Sequence, residues 1–181
     1  MNRGRLKISF IIIIIIAVVV SIIMTSYIIC GKIRESKTDW RISSKLVNVP
    51  IPRDAKVLQS SDTHGAMGDG IYFVVFQFTA DQYMEFLNIL SENGSWPDLP
   101  MSYDMNKFIF GERKGSERYG GYCEDKIPRI TRHGKYFFRD KSIENIPQYN
   151  GISIFDRPSK NFIFSLLDSD NKKLYLIKYD S

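Results

Sequence analysis

The feature that most constrains this chain is an uncharged apolar stretch from Ile8 to Ile29, which includes an unbroken run of isoleucine at positions 11–16. No Asp, Glu, Lys or Arg lies between Lys7 and Lys32. A helix over this stretch would be about 33 Å long, which is enough to cross a hydrocarbon core of about 30 Å. In lipid the backbone can satisfy its hydrogen bonds only within the helix, so the many β-branched side chains do not oppose it. The stretch predicts one transmembrane helix over residues 8–29, after a tail of residues 1–7.

Two alternatives would remove or replace this anchor. A cleaved signal peptide would also begin with basic residues, but the apolar run is longer than a usual h-region and Tyr27-Ile28-Ile29-Cys30 offers no small-x-small cleavage site. A lipoprotein would be acylated at Cys30, but Ile29 is not the small residue that such a signal needs before the cysteine. We therefore expect a retained, single-pass signal anchor.

The orientation of the helix is argued from its basic flanks. The tail carries Arg3, Arg5 and Lys7, while the other flank is also basic, so charge counting alone is ambiguous. Moving the charged tail against the membrane potential is costly, whereas a long domain is translocated largely regardless of its charge. We expect the tail in the cytoplasm, the C-terminal domain outside it, and the protein at the cell membrane.

Composition excludes one class of partner for that domain. The chain has 25 Lys plus Arg and 20 Asp plus Glu; without the three basic residues of the tail, 22 against 20 leaves a formal charge of +2. A nucleic-acid-binding domain would be strongly basic, so no nucleic acid is expected as a partner. The remaining length fits one domain of ordinary size. We predict a juxtamembrane stem over residues 30–52 and one domain over residues 53–181.

The patterning beyond the stem indicates an α+β domain. A strand over residues 55–59, a glycine-rich loop over 61–70 and an apolar strand over 71–78 precede a helix that begins with a Thr79–Gln82 capping box and ends at Asn93. The rest reads as short strands, the last two of which form a hairpin: residues 107–110, 119–123, 129–139, 152–156, 161–167 and 174–179. We predict an antiparallel sheet packed by a single main helix.

The glycine-rich loop contains the first candidate site. Asp62, His64 and Asp69 lie among three glycines that would let backbone approach a ligand closely. Two carboxylates and an imidazole are ligands for a divalent metal, and His64 oriented by one Asp is a candidate general base. The alternative is a tight turn in which the Asp side chains accept hydrogen bonds from backbone N–H groups.

The second candidate site is basic. If residues 129–139 form a strand, Arg129, His133, Lys135 and Arg139 share one face, which would suit a phosphate, a lipid head group or an acidic wall polymer. The alternative is a solvated basic strand that protects a sheet edge. If His133 lay close to His64, it would add a fourth ligand to the metal site.

Several motifs together carry a resemblance. They are Asp62-x-His64-Gly65 with Gly68-Asp69-Gly70 before an apolar strand, Trp96-x-x-Leu99-Pro100 after the helix, and Asn161-Phe162-x-Phe164 with Leu174-Tyr175 near the end. In these motifs, over roughly residues 50–180, the chain resembles uncharacterised small membrane-anchored or lipoprotein-like proteins of Gram-positive bacteria. The resemblance implies a bacterial cell envelope and carries no activity.

Three functions follow from this reading. The first is a non-enzymatic domain that binds a protein or an envelope component outside the membrane. The second is a metal-dependent or acid–base enzyme centred on Asp62, His64 and Asp69. The third is a small immunity-type protein that binds a toxin at the membrane. A recognisable catalytic set is missing from the sequence, which favours the first.

Overall fold

The computed structural model describes residues 16, 18–26, 38–66, 68–93, 96–130 and 132–181. The chain forms two compact units, Met1–Thr38 and Asp39–Ser181. In the first unit, residues 16 and 18–26 are helical, and their large apolar side chains are exposed by 48% to 61%. Among the described residues, no helix has both the length and the apolar character to cross a bilayer. The predicted tail, most of the predicted transmembrane helix and Cys30 lie outside the described residues.

The second unit contains a five-stranded antiparallel sheet, a separate two-stranded hairpin and several helices. Its strands are β1 (Lys56–Asp62), β2 (Gly70–Gln77), β3 (Glu112–Lys114), β4 (Glu117–Tyr119), β5 (Gly134–Asp140), β6 (Phe162–Asp168) and β7 (Lys173–Asp180). Its helices are α1 (residues 38–47), α2 (Ala80–Asn93), α3 (Tyr103–Phe110) and α4 (Lys141–Asn145). The order in the sheet is β1-β2-β7-β6-β5, and every neighbouring pair is antiparallel. The predicted α+β class is confirmed.

Both faces of the sheet are covered. Successive residues of β2 alternate between two apolar clusters, because side chains of a strand point to opposite faces. Tyr72 and Val74 belong to the cluster that contains Phe86 of α2. Phe73 belongs to the cluster that contains Phe108 of α3. The prediction of a single main helix is therefore wrong, because α3 covers the face of the sheet opposite to α2.

Two of the predicted strands are wrong, and two others lie partly or mostly outside the observed strands. Residues 107–110 belong to helix α3, whose first turn is capped by Ser102 Oγ accepting from the backbone N–H of Met105. A four-residue apolar run does not by itself distinguish a strand from a helix. Residues 152–156 contain a 3-10 turn, Ile154–Asp156, instead of a strand. The predicted strand over 119–123 shares only Tyr119 with β4, and the one over 129–139 begins only at Gly134.

Two local predictions are confirmed by hydrogen bonds. At the start of α2, the Thr79 backbone N–H donates to Gln82 Oε1 and the Gln82 backbone N–H donates to Thr79 Oγ1, which is the reciprocal pattern of a capping box. The final hairpin joins β6 to β7, and Asp168 closes its turn by accepting from the backbone and side-chain amides of Asn171.

The compact unit begins before the predicted domain boundary. Val47, Val49 and Ile51 are core residues, and the Tyr72 hydroxyl donates to Asp39 Oδ1 at 2.9 Å. The Trp40 indole N–H donates to the carbonyl of Ile51, so this tryptophan packs on the domain. Residues 39–52, predicted as part of a stem over 30–52, thus belong to the folded unit.

Candidate functional site

The loop between β1 and β2 is held over the start of β2 by backbone contacts. The Thr63 N–H donates to the carbonyl of Ile71, and the Gly65 N–H donates to that of Asp69. A Cβ at Gly70 would lie only 2.5 Å from the Cα of His64. Glycine at position 70 is therefore what lets the backbone of His64 lie this close.

The loop places the His64 imidazole between two carboxylates. Its Nδ1 lies 2.5 Å from Asp62 Oδ1, and its Nε2 lies 2.8 Å from Asp180 Oδ2. Both ring nitrogens can donate only in the imidazolium form. The hydrogen bond to Asp62 is the main cause that raises the pKa of His64, and the bond to Asp180 adds to it. Because the Lys178 ammonium also contacts Asp180, the cluster alternates negative and positive groups.

This cluster overlaps only in part with the set predicted from sequence. Asp62 and His64 are brought together, while Asp69 is exposed and contributes its backbone carbonyl to the loop. Asp180 completes the cluster because the register of β2 against β7 pairs Gly70 with Asp180. Among the described residues, no group of three or more His, Cys, Asp or Glu side chains is arranged to hold a metal. A metal at Asp62, His64 and Asp69 stays a prediction.

The four predicted basic residues do not share a strand face. Arg129 and His133 precede β5, so that part of the prediction is wrong. The four side chains have separate partners: Arg129 donates to the carbonyls of Phe110 and Gly111, His133 lies 3.2 Å from Asp170, Lys135 pairs with Asp98 at 2.7 Å, and Arg139 pairs with Glu144 at 2.6 Å. Anion binding by these four residues as one set stays a prediction.

The two histidines lie at opposite ends of the sheet. His64 contacts Asp180, the last residue of β7, while the carbonyl of His133 accepts from the backbone N–H of Ser169 in the turn before β7. The seven residue steps of β7, at about 3.4 Å each, separate these ends by about 24 Å. His133 is therefore no fourth ligand for a metal at His64.

A cavity that the sequence did not indicate opens beside the start of α3. Its volume is about 430 Å³, and we call it the apolar cavity. It is lined by Ser102, Asp104, Met105, Phe108, Phe138, Asp140 and residues 151–155 and 157. Three segments far apart in sequence contribute to it, which is why no local motif revealed it.

One buried ion pair shapes the wall of the apolar cavity. Arg157 is 5% exposed and its guanidinium pairs with Asp140 at the end of β5. The same guanidinium donates from Nε and Nη2 to the carbonyl of Ile152, at 3.0 and 2.7 Å. These bonds fix the turn at Ile152, and Phe155 of the same turn packs against Phe108, so the cavity has a preformed wall.

A second cavity, which we call the arginine cavity, lies beyond the other end of α3. It has a volume of about 340 Å³ and is lined by residues 110–113, Arg118, Glu124 and Arg129. The structure thus places Arg129 beside Arg113 and Arg118, two residues outside the candidate sites predicted from the sequence. The signal was available as three arginines within 17 positions, but their convergence depends on the β3–β4 hairpin.

Comparison with known proteins identifies no relative of this chain. No protein-family model, curated protein or solved structure matches this chain. What the domain does must therefore be argued from its own residues.

Proposed function

We propose that this protein is a single-pass membrane protein whose folded unit is a non-enzymatic binding domain outside the cytoplasm. The observation that carries the binding part is the apolar cavity, a concave site of about 430 Å³ with aromatic walls and a few fixed polar groups. Cavities of this size, mostly apolar and with few polar groups, are the usual form of a ligand site. The ligand that fits such walls has an apolar or aromatic part.

The anchor is supported by both sequence and exposure. The chain carries no charged residue from Ile8 to Ile29, and the described part of that stretch is helical with its apolar side chains exposed. Exposed isoleucines and valines in such density are unfavourable in water and favourable in lipid. The basic tail and the proposed bacterial envelope setting favour display of the domain on the outer face.

The polar groups of the apolar cavity favour binding over chemistry. The Asp140 carboxylate accepts hydrogen bonds from Arg157 and from the backbone N–H of Ile143, so it holds neighbouring segments of the fold together. Ser102 and Ser153 each accept a backbone N–H at the start of a helical turn. Within the described chain, neither hydroxyl is hydrogen-bonded to a side chain that would act as a general base.

Phenol, as a neutral aromatic probe, tests the binding part. We expect saturation-transfer NMR on the full-length protein in phosphatidylcholine nanodiscs to show saturable binding beyond that of empty nanodiscs. Ile154→Trp fills the cavity and should abolish this signal. Met84→Trp adds the same side chain at an exposed position of α2 and should leave it unchanged. Equal signals from the two variants would contradict the proposal.

An acid–base or metal-dependent enzyme is the second candidate, and the contact between His64 and Asp62 is the observation that favours it. Thermal unfolding with and without a chelator tests the metal-dependent form of this candidate. A chelator-sensitive melting temperature that His64→Ala abolishes would support the enzyme. An unchanged melting temperature would contradict a metal-dependent enzyme.

A further inference from the structure

We propose that the arginine cavity is a binding site for a phosphate group carried on a small organic molecule or a lipid head group. Three guanidinium groups line one concavity, from β3 (Arg113), β4 (Arg118) and the loop before β5 (Arg129). Guanidinium groups bind phosphate oxygens through paired, charge-assisted hydrogen bonds. This site is distinct from the apolar cavity, so it stands whether or not that cavity binds a ligand.

Arg129 is held in place by its own surroundings. Its Nη2 donates to the carbonyls of Phe110 and Gly111, at 3.3 and 3.2 Å, and its guanidinium carbon lies 5.4 Å from the centre of the Phe110 ring. These contacts occupy one nitrogen and one face of the plane. The remaining N–H groups are already oriented, which lowers the entropy cost of binding an anion.

Arg118 is positioned by a glycine backbone. Its guanidinium pairs with Glu124 and lies so close to Gly121 that a Cβ there would be 2.7 Å from Nη2. A Cβ at Gly111 would lie 3.5 Å from Nε of the same group. Gly121 therefore leaves space for this guanidinium beside the cavity, whereas a Cβ at Gly111 would make only an ordinary van der Waals contact with it.

The charge balance of the cavity favours an anion. Arg113, Arg118 and Arg129 give three positive charges, and Glu112 and Glu124 give two negative charges, so the lining carries a net charge of +1. Glu112 is further engaged by the Lys107 ammonium at 3.4 Å and by the Tyr103 hydroxyl at 2.6 Å. Arg113 is exposed, and within the described chain its side chain makes no ion pair or hydrogen bond. It is the guanidinium most available to a ligand.

The size of the cavity indicates more than an inorganic ion. A volume of about 340 Å³ exceeds that of a single phosphate and lies within the range of small-molecule sites. A phosphate ester would place its phosphate among the arginines and its organic part along Phe110 and Gly111. Because the site is open to solvent, its affinity should fall as ionic strength rises.

Isothermal titration of the full-length protein in an uncharged detergent tests this inference. The probes are inorganic phosphate, glycerol phosphate and glycerophosphoglycerol, the water-soluble head group of an anionic lipid, each at matched ionic strength in chloride. We expect saturable binding of at least one of them. Preference for glycerol phosphate would indicate a soluble ester, and preference for glycerophosphoglycerol would indicate a lipid head group.

Matched variants assign the binding to this cavity. Arg113→Gln and Arg129→Gln should each weaken binding about tenfold, since each removes a charge-assisted hydrogen bond. Lys114→Gln makes the same charge change at the next residue of β3, whose side chain points to the opposite face, and should leave affinity unchanged. The Arg113 side chain makes no ion pair or hydrogen bond within the described chain, so its variant should remain folded by near-UV circular dichroism. No saturable binding of any probe, or equal weakening by Lys114→Gln, would overturn the proposal.

Discussion

His64 Nε2 lies 2.8 Å from Asp180 Oδ2, which joins the loop between β1 and β2 to the last residue of β7. The contact spans 116 positions of sequence. With Asp62 on the other side of the ring, one imidazole connects the edge strand β1 to the third strand of the sheet. The loop is therefore tied to the C-terminal strand by groups that titrate.

This arrangement predicts that the folded unit loses stability above neutral pH. The pKa of His64 is raised from 6.5, chiefly by the hydrogen bond to Asp62. Its stabilisation is fully present below about pH 6.5 and is lost as pH rises through the higher pKa of the folded state. Because Asp62 is 59% exposed, we expect a loss of no more than about 1 kcal/mol.

The measurement is urea unfolding of the full-length protein in uncharged detergent, followed by tryptophan fluorescence. His64→Gln should remove the pH dependence. The control is His133→Gln, which changes an exposed histidine at the far end of the sheet and should retain it. A decline of the same size in His64→Gln would show that other groups cause it.

At acid pH, the dependence of stability on pH has the opposite sign because of Asp62. The lowered pKa of Asp62 gives stability that is lost as pH falls below about 3.8.

Sequence patterning predicted the parts of this fold in which local and tertiary signals agree. Helix α2 has a capping box and helical periodicity, and the β6–β7 hairpin has a polar turn between two apolar strands, so both were found. Helix α3 was missed because Lys107–Phe110 is too short a run for periodicity to decide, and its N-cap, Ser102, lies five residues earlier. Packing against the second face of the sheet determines that this segment is helical.

The candidate sites were predictable only where their residues are neighbours in sequence. Asp62 and His64 are two positions apart and were paired correctly, whereas Asp180 comes from the other end of the unit and is brought in by strand register. The apolar cavity draws on α3, β5 and the 151–157 turn, so only the tertiary fold assembles it. Arg129 was predicted as an anion-binding residue, but its proximity to Arg113 and Arg118 depends on a hairpin whose strands are three residues each.

The contact between Tyr72 and Asp39 should stabilise the folded unit. Tyr72→Phe removes the hydroxyl that donates to Asp39 Oδ1 at 2.9 Å and leaves a carboxylate of an 8% exposed residue without this donor. We expect a loss of about 1–3 kcal/mol in the free energy of unfolding. Tyr103→Phe removes a hydroxyl from a residue that is 66% exposed and should cost less than about 0.5 kcal/mol. Similar losses in both variants would show that the buried contact contributes little.

Gly120 should not tolerate a side chain. Its φ is +72°, and an added Cβ would lie 2.1 Å from the carbonyl oxygen of Lys107. Gly115 has a similar φ of +65°, but no atom lies within 4 Å of the place where an added Cβ would be. Gly115→Ala therefore measures backbone strain alone, about 1 kcal/mol, while Gly120→Ala adds a clash with the end of α3. A melting temperature equally lowered by the two variants would contradict the close approach.

The buried Arg157–Asp140 pair should matter far more than an exposed pair nearby. Arg157→Met leaves Asp140 in the wall of the apolar cavity without its cation, which should cost about 3 kcal/mol or more. Arg139→Met breaks the exposed pair with Glu144 and should cost about 1 kcal/mol or less. Urea unfolding of both variants measures the difference. A loss for Arg157→Met as small as that for Arg139→Met would show that the pair does not hold the cavity wall.

The central claim, a membrane anchor with its domain outside the cytoplasm, predicts a specific labelling pattern in intact bacterial cells. Cys123 is 1% exposed and should not react, so Cys30→Ser provides a background for single reporter cysteines. Ser116→Cys places a thiol in the exposed turn between β3 and β4, and Asn2→Cys places one in the tail.

The measurement is reaction of these two variants with a membrane-impermeant maleimide before and after permeabilisation, with the protein recovered from alkaline-washed membranes. We predict that Ser116→Cys reacts in intact cells and that Asn2→Cys reacts only after permeabilisation. Protection of Ser116→Cys until the membrane is opened, or recovery of the full-length chain in the soluble fraction, would contradict the account.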